Sequence, residues 1–106
     1  MKGYEITFFT QEDHLHGSKQ LSEWLLLTAR DLGLKGATII TGSESYGHNR
    51  HIHSARFFEL ADKPQEIIII ATEEESNLLF DHLQKENVKL FYVKKQVKFG
   101  MSGKPS

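Results

Sequence analysis

Cysteine is absent from the 106 residues, which excludes disulfides, thiolate nucleophiles and cysteine-ligated metals and is compatible with a reducing compartment. Neither sign of charge dominates. Thirteen Lys+Arg stand against 14 Asp+Glu, a formal net charge of −1, so no global basic field exists to hold duplex nucleic acid. Long apolar runs are missing too. The longest aliphatic stretch, Ile67 to Ala71, falls far short of the roughly 20 residues that cross a bilayer. The opening MKGYEITFFTQEDH has neither an apolar signal core nor a small-residue cleavage site. The expectation is a soluble, cytoplasmic protein with no membrane insertion. No internal repeat and no linker divides it.

What is present is an ordinary globular composition, 39% hydrophobic and 25% charged, in a chain long enough for one domain. We expect that domain over residues 1–100 and a frayed tail over 101–106. Tyr4, Ile6 and Phe8 alternate with Glu5 and Thr7, the period of a strand over 3–10. Ser18 is the expected N-cap of an amphipathic helix over 19–32, whose Leu21, Trp24, Leu25, Thr28 and Leu32 recur at spacings of three and four. Gly33 suits its end. ATIIT at 37–41 is a second strand between glycines, and SARFFEL is an extended arm before Pro64. Ile67–Ile70 reads as a covered strand. Thr72 and Glu75 have capping-box spacing and open a second helix to about Asn87. KLFYVKKQVKF is a last strand or pair of strands.

The order is β-α-β, a long loop, then β-α-β. It predicts an α+β ferredoxin-like sandwich with both helices on one face of an antiparallel sheet. Phe9, Thr38, Ile40, Ile68 and Ile70 then belong to the other, uncovered face, which implies a partner, most simply another copy of the chain.

The chemistry collects in GSESYGHNRHIHSAR, residues 42–56. Arg50 and Arg56 offer rigid forks to phosphate or carboxylate oxygens, with His53 beside them. Gly42 and Gly47 let backbone amides approach a ligand, and Tyr46 suits a base or ribose. With Glu44 these are the candidate ligand-binding residues. Gly17 and Lys19 join them because an opening helix attracts anions; an ordinary N-cap is the plainer reading there. Lys94, Lys95 and Lys98 either supply charge across a subunit boundary or guard an edge. A second option is a metal site, since His14 and His16, like His51 and His53, have the spacing of one strand face. His48 and Glu44 would complete its nitrogen and oxygen ligands. Catalysis has little support: no nucleophile elbow accompanies Ser43 or Ser45. Glu73, Glu74 and Glu75 match a helix dipole. A small hydrolase is the third option.

Three blocks carry a resemblance: His16–Gly17 before the first helix, GLKGATIITGSESYG from Gly33 to Gly47, and IHSARFFEL from Ile52 to Leu60. Together they resemble the PII-like family called domain of unknown function 190, over nearly the whole chain. That family is similar to the PII signal-transduction and CutA proteins, trimers of ferredoxin-like subunits. The resemblance implies a non-catalytic regulatory homotrimer that holds a small anionic ligand, AMP, ADP or ATP, in clefts between subunits. It also implies a protein target that reads the loop at 43–52, and as the alternative a CutA-like trimer binding a divalent metal. One departure bears on the ligand. PII proteins carry a glycine-rich phosphate loop after the second helix, whereas DHLQKENVKLF has no glycine there. A triphosphate loses its backbone cradle, a monophosphate less.

Overall fold

The computed structural model describes residues 1–42 and 63–103. Four long strands form one antiparallel sheet: β1 (Lys2–Gln11), β4 (Gly36–Thr41), β5 (Pro64–Ala71) and β6 (Phe91–Lys98), in the order β4-β5-β1-β6. The helices α1 (Leu21–Asp31) and α2 (Glu73–Lys85) lie on one face. A two-stranded hairpin, β2 (Leu15–His16) with β3 (Lys19–Gln20), precedes α1. This is the ferredoxin-like sandwich expected from the sequence, with a single strand at its C-terminal end. Pro64 takes the first position of β5, where a strand tolerates a missing N–H.

Register and burial assign the two faces. Ile6 pairs with Ile69 and Phe8 with Ile67, and all four are at most 1% exposed. They meet Leu25 and Ala29 of α1 and Leu79 and Leu83 of α2 in one core. Removing such a side chain typically costs about 2–5 kcal/mol, because the surroundings relax only partly into the cavity.

Local chemistry fixes the helix ends. Thr72 accepts from the Glu75 N–H at 3.2 Å and the Glu75 carboxylate accepts from the Thr72 N–H at 2.9 Å, so the expected capping box is formed. At the end of α1, Gly33 sits at φ 84°. Its N–H donates to the Arg30 carbonyl at 3.0 Å and that of Leu34 to Ala29 at 2.9 Å, a Schellman stop. α2 ends the same way with Asn87 at φ 58°, two residues earlier than the sequence pattern placed it. Asparagine tolerates that backbone region better than most residues.

The start of α1 corrects one expectation. The N-cap is Gln20, not Ser18, and no side chain caps the helix. Gly17, at φ 66°, and Ser18 form the two-residue loop of the hairpin, with glycine at the first loop position as a II′ turn requires. The hairpin is tied down at its base, where Leu21 N–H donates to the His14 carbonyl at 2.7 Å.

Candidate functional site

β4 ends and β5 begins side by side, so the segment 43–62 leaves and re-enters the sheet at one point. Gly42 N–H donates to the Pro64 carbonyl at 2.7 Å, and Glu12 N–H to the Lys63 carbonyl at 3.0 Å. Across this end, on the helix face, runs a polar row. Thr41 is opposite Gln65, and Gln65 is opposite Thr10. Gln65 Nε2 donates to Thr41 Oγ1 at 3.3 Å. Its side chain is 5% exposed, and Oε1 has no partner among the described residues. Thr10 Oγ1 lies 2.9 Å from His14 Nδ1.

Of the candidate ligand-binding residues, Gly42, Gly17 and Lys19 are placed. Gly42 lies at the root of the segment. Gly17 and Lys19 belong to the hairpin, and Lys19 is exposed on β3. They do not open α1, so an anion held there by the helix dipole loses its geometric ground. Glu44, Tyr46, Gly47, Arg50, His53 and Arg56 lie outside the described residues, as do Ser43, Ser45, the arm SARFFEL and residues 104–106.

The two histidines expected to share a strand face have separate partners. His14 meets Thr10, whereas His16 packs on the Trp24 ring at 4.3 Å and places Nε2 3.4 Å from Glu86 Oε1. His82 stacks on Trp24 at 5.9 Å. This layer joins the hairpin, α1 and α2, and nothing in the sequence pattern pointed to it. No group of three His, Asp or Glu suited to a metal exists among the described residues. His48, His51 and His53 lie outside them.

The connection from α2 to β6 answers the question of a phosphate cradle. Glu86 N–H donates to His82 at 3.0 Å, Asn87 N–H to Gln84 at 3.0 Å and Val88 N–H to Leu83 at 2.9 Å. Every one of these three amides closes the helix end, and none is directed at a ligand.

Among the described residues no element covers the face away from the helices. Thr38, Ile40, Ile68, Ile70, Thr7, Phe9, Phe91 and Val93 share it by register. Ile40 is 47%, Phe91 73% and Val93 47% exposed, and the Phe9 and Phe91 rings lie 5.6 Å apart. At its far end Lys95 Nζ is 3.9 Å from Glu5 Oε2.

The family model for domain of unknown function 190, described as an uncharacterized ACR, matches residues 3–98. The chain belongs to this family. A curated relative, the UPF0166 protein of Aquifex aeolicus (strain VF5), is 31% identical over 70 residues, which cover 66% of this chain and 67% of that protein. Among solved structures the family member is similar to CPII of Thiomonas intermedia K12 bound to ADP, AMP and acetate. There the TM-score is 0.56 at 19% identity, over 92% of this chain and 90% of that one. CPII bound to ADP, AMP and bicarbonate, described as a nitrogen regulatory PII-like protein, gives a TM-score of 0.58 at 18% identity, over 95% and 91%. At such identities the likeness is one of fold, the PII-like sandwich of two helices on an antiparallel sheet. Among the described residues no helix is long and apolar enough to cross a membrane.

Proposed function

We propose that this protein is a non-catalytic PII-like regulator of the cytoplasm, a homotrimer that holds a small anionic ligand, an adenine nucleotide, in clefts between its subunits. Binding changes the segment 43–52, and a target protein reads the change. The bare apolar face opposite the helices carries this reading. A lone chain would leave Phe91, Val93 and Ile40 in water, and a symmetric oligomer covers them with the same surface that exposes them. Arg50, His53 and Arg56 supply the charge for the anion, and the ADP and AMP bound to the CPII neighbours support the choice of nucleotide. With the Glu86, Asn87 and Val88 amides engaged in the helix stop, AMP or ADP suits the cleft better than ATP.

A thermal-shift screen of AMP, ADP, ATP, bicarbonate and divalent metals, beside light scattering, tests it. A nucleotide at a hundred times its dissociation constant adds about 2.7 kcal/mol of stability. A monomer at micromolar concentration, or stabilisation by a metal and by no nucleotide, overturns the reading.

A further inference from the structure

A layer of rings at the end of α2 joins three elements. The imidazole of His16, on β2, lies 4.3 Å from the Trp24 ring of α1, and His82 of α2 stacks on that ring at 5.9 Å. His16 Nε2 stands 3.4 Å from Glu86 Oε1. One indole thus meets two imidazoles, all three half-buried, and a positive charge on either imidazole is favoured there. An indole face attracts a cation within about 6 Å. Glu86 attracts His16, and His82 lies in the last turn of α2, where the helix dipole favours a cation. The other charges around the layer are Lys19, opposite His16 across the hairpin, Glu23 next to Trp24, and Asp81 and Lys85 flanking His82 on α2. Lys19 and Lys85 oppose a proton, but all four are exposed and screened by solvent and salt.

We propose that this layer is a proton-operated latch. It clamps the β2–β3 hairpin to α2 when His16 and His82 are protonated, and it loosens as they lose the proton. The imidazole is the side chain whose charge ordinarily changes between about pH 5 and 8, while a carboxylate ordinarily stays ionised over that range. On the acid side the His16–Glu86 contact is a charge-assisted pair. On the alkaline side Glu86 faces a neutral ring and the contact keeps no more than an ordinary hydrogen bond. The clamp is therefore strongest at the acid end and is lost as pH rises. The two side chains are 28% and 43% exposed, so the response is graded: such a pair shifts an opening equilibrium about twofold to fivefold.

The hairpin carries the effect of the proton to the root of the segment 43–62. It begins where Glu12 N–H donates to the Lys63 carbonyl at 3.0 Å, and it closes where Leu21 N–H donates to the His14 carbonyl at 2.7 Å. His14 Nδ1 lies 2.9 Å from Thr10 Oγ1, and Thr10 stands opposite Gln65 in the polar row. A clamp on His16 thus steadies the chain between α2 and that root. Proton concentration becomes an input to the same segment that the proposed function gives to the ligand. The latch needs neither a ligand nor a second copy, so its test is separate from that of the regulatory reading.

Trp24 is the only tryptophan, and a protonated imidazole against an indole quenches its emission. Fluorescence of the full chain is titrated from about pH 5 to 8. Amide exchange at Glu12 and Leu21 is compared at the two ends of that range, corrected for intrinsic rates and referred to Ile69 in the core. Emission should fall as pH falls, and protection at both amides should be about twofold to fivefold higher at the acid end. Both effects should shrink in His16→Asn. In Glu86→Gln the emission transition should move to lower pH and the gain in protection should disappear, whereas His14→Asn should keep both. Emission that does not titrate, or protection that is the same at both ends, overturns the latch. So does a pH dependence of protection that survives in both His16→Asn and Glu86→Gln; its loss in His14→Asn would then place the sensor at the Thr10 contact. Urea unfolding checks that each variant folds, and if His16→Asn does not, Glu86→Gln, exposed at the surface, carries the comparison.

Discussion

Replacing Val93 by lysine separates a solvent-facing sheet from an assembled one. Val93 is 47% exposed in the single chain, on the face away from the helices, so the core of Ile6, Phe8, Leu25 and Leu79 is untouched. If the face stays in water, only part of the side chain's burial is lost. Full burial of a valine contributes roughly 1.5–3 kcal/mol, so the variant chain should lose about 1 kcal/mol and no more. If three copies cover the face, a lysine must instead enter an apolar interface beside Lys94 and Lys95. An unpaired charge that is taken out of water costs several kcal/mol. Even at about 2 kcal/mol per copy the trimer loses about 6 kcal/mol over its three copies, more than four decades in its association constant. Sedimentation equilibrium at micromolar concentration reads the assembly and urea unfolding reads the chain. We expect a folded monomer. A Val93→Lys protein that remains a trimer with an unchanged association constant would refute the idea that this face is where the copies meet.

Thr72→Ala removes one half of the capping box and should cost about 1 kcal/mol, a fall of roughly 4–8 °C in Tm for a domain of this size, whereas Thr72→Ser should recover most of it. Gly3→Ala should destabilise the fold more. A Cβ there would overlap the Ala71 carbonyl oxygen and stand 2.9 Å from the Phe99 ring, and a cooperative urea transition at unchanged midpoint would contradict this. Arg50→Ala or Arg56→Ala should weaken nucleotide binding about tenfold to a hundredfold, since a charged hydrogen bond contributes roughly 1.5–3 kcal/mol. Titration calorimetry with unchanged affinity in both variants would move the site elsewhere. Across AMP, ADP and ATP the affinity should not rise with the number of phosphates; a steep rise toward ATP would show a cradle that the α2–β6 turn does not provide.

The long elements were legible because their patterns are redundant. β1 announces itself by alternation, α2 by Thr72 and Glu75 at its start, and the stop of α1 by a glycine at φ 84°. The bare face followed from parity alone, since Ile68 and Ile70 cannot point where Ile67 and Ile69 do. The hairpin did not. Its strands are two residues each, too short to carry a period, and Ser18 before Leu21 imitates a helix cap. The useful signal was Gly17–Ser18, a two-residue loop beginning with glycine. The layer of His16, Trp24, His82 and Glu86 was hidden for another reason: its members come from three elements far apart in sequence, and only the sandwich brings them together. For the candidate site, the sequence singled out Gly42 as a ligand-binding candidate but could not show that Gln65 is buried beside Thr41.

Gln65 bears on the proposal that the site is shared between subunits. Gln65 is 5% exposed, with its Oε1 unpartnered among the described residues, so its polar row offers an anion no exposed donor from this position. The hairpin's Lys19 is exposed on its own strand, and the amides after α2 close a helix. In the proposed site the anion is therefore left to Arg50 and Arg56, in the segment that follows Gly42. A ligand as large as a nucleotide needs a second wall for its base and ribose. Among the described residues the start of β6 exposes aromatic side chains, Phe91 at 73% and Tyr92 at 45%, and within one chain it lies on the far side of β1 and β5 from that root. In the proposed trimer a neighbouring copy supplies that second wall. On this account assembly and ligand binding are linked: a variant that loses the trimer loses the nucleotide site as well, and saturating ligand stabilises the assembly.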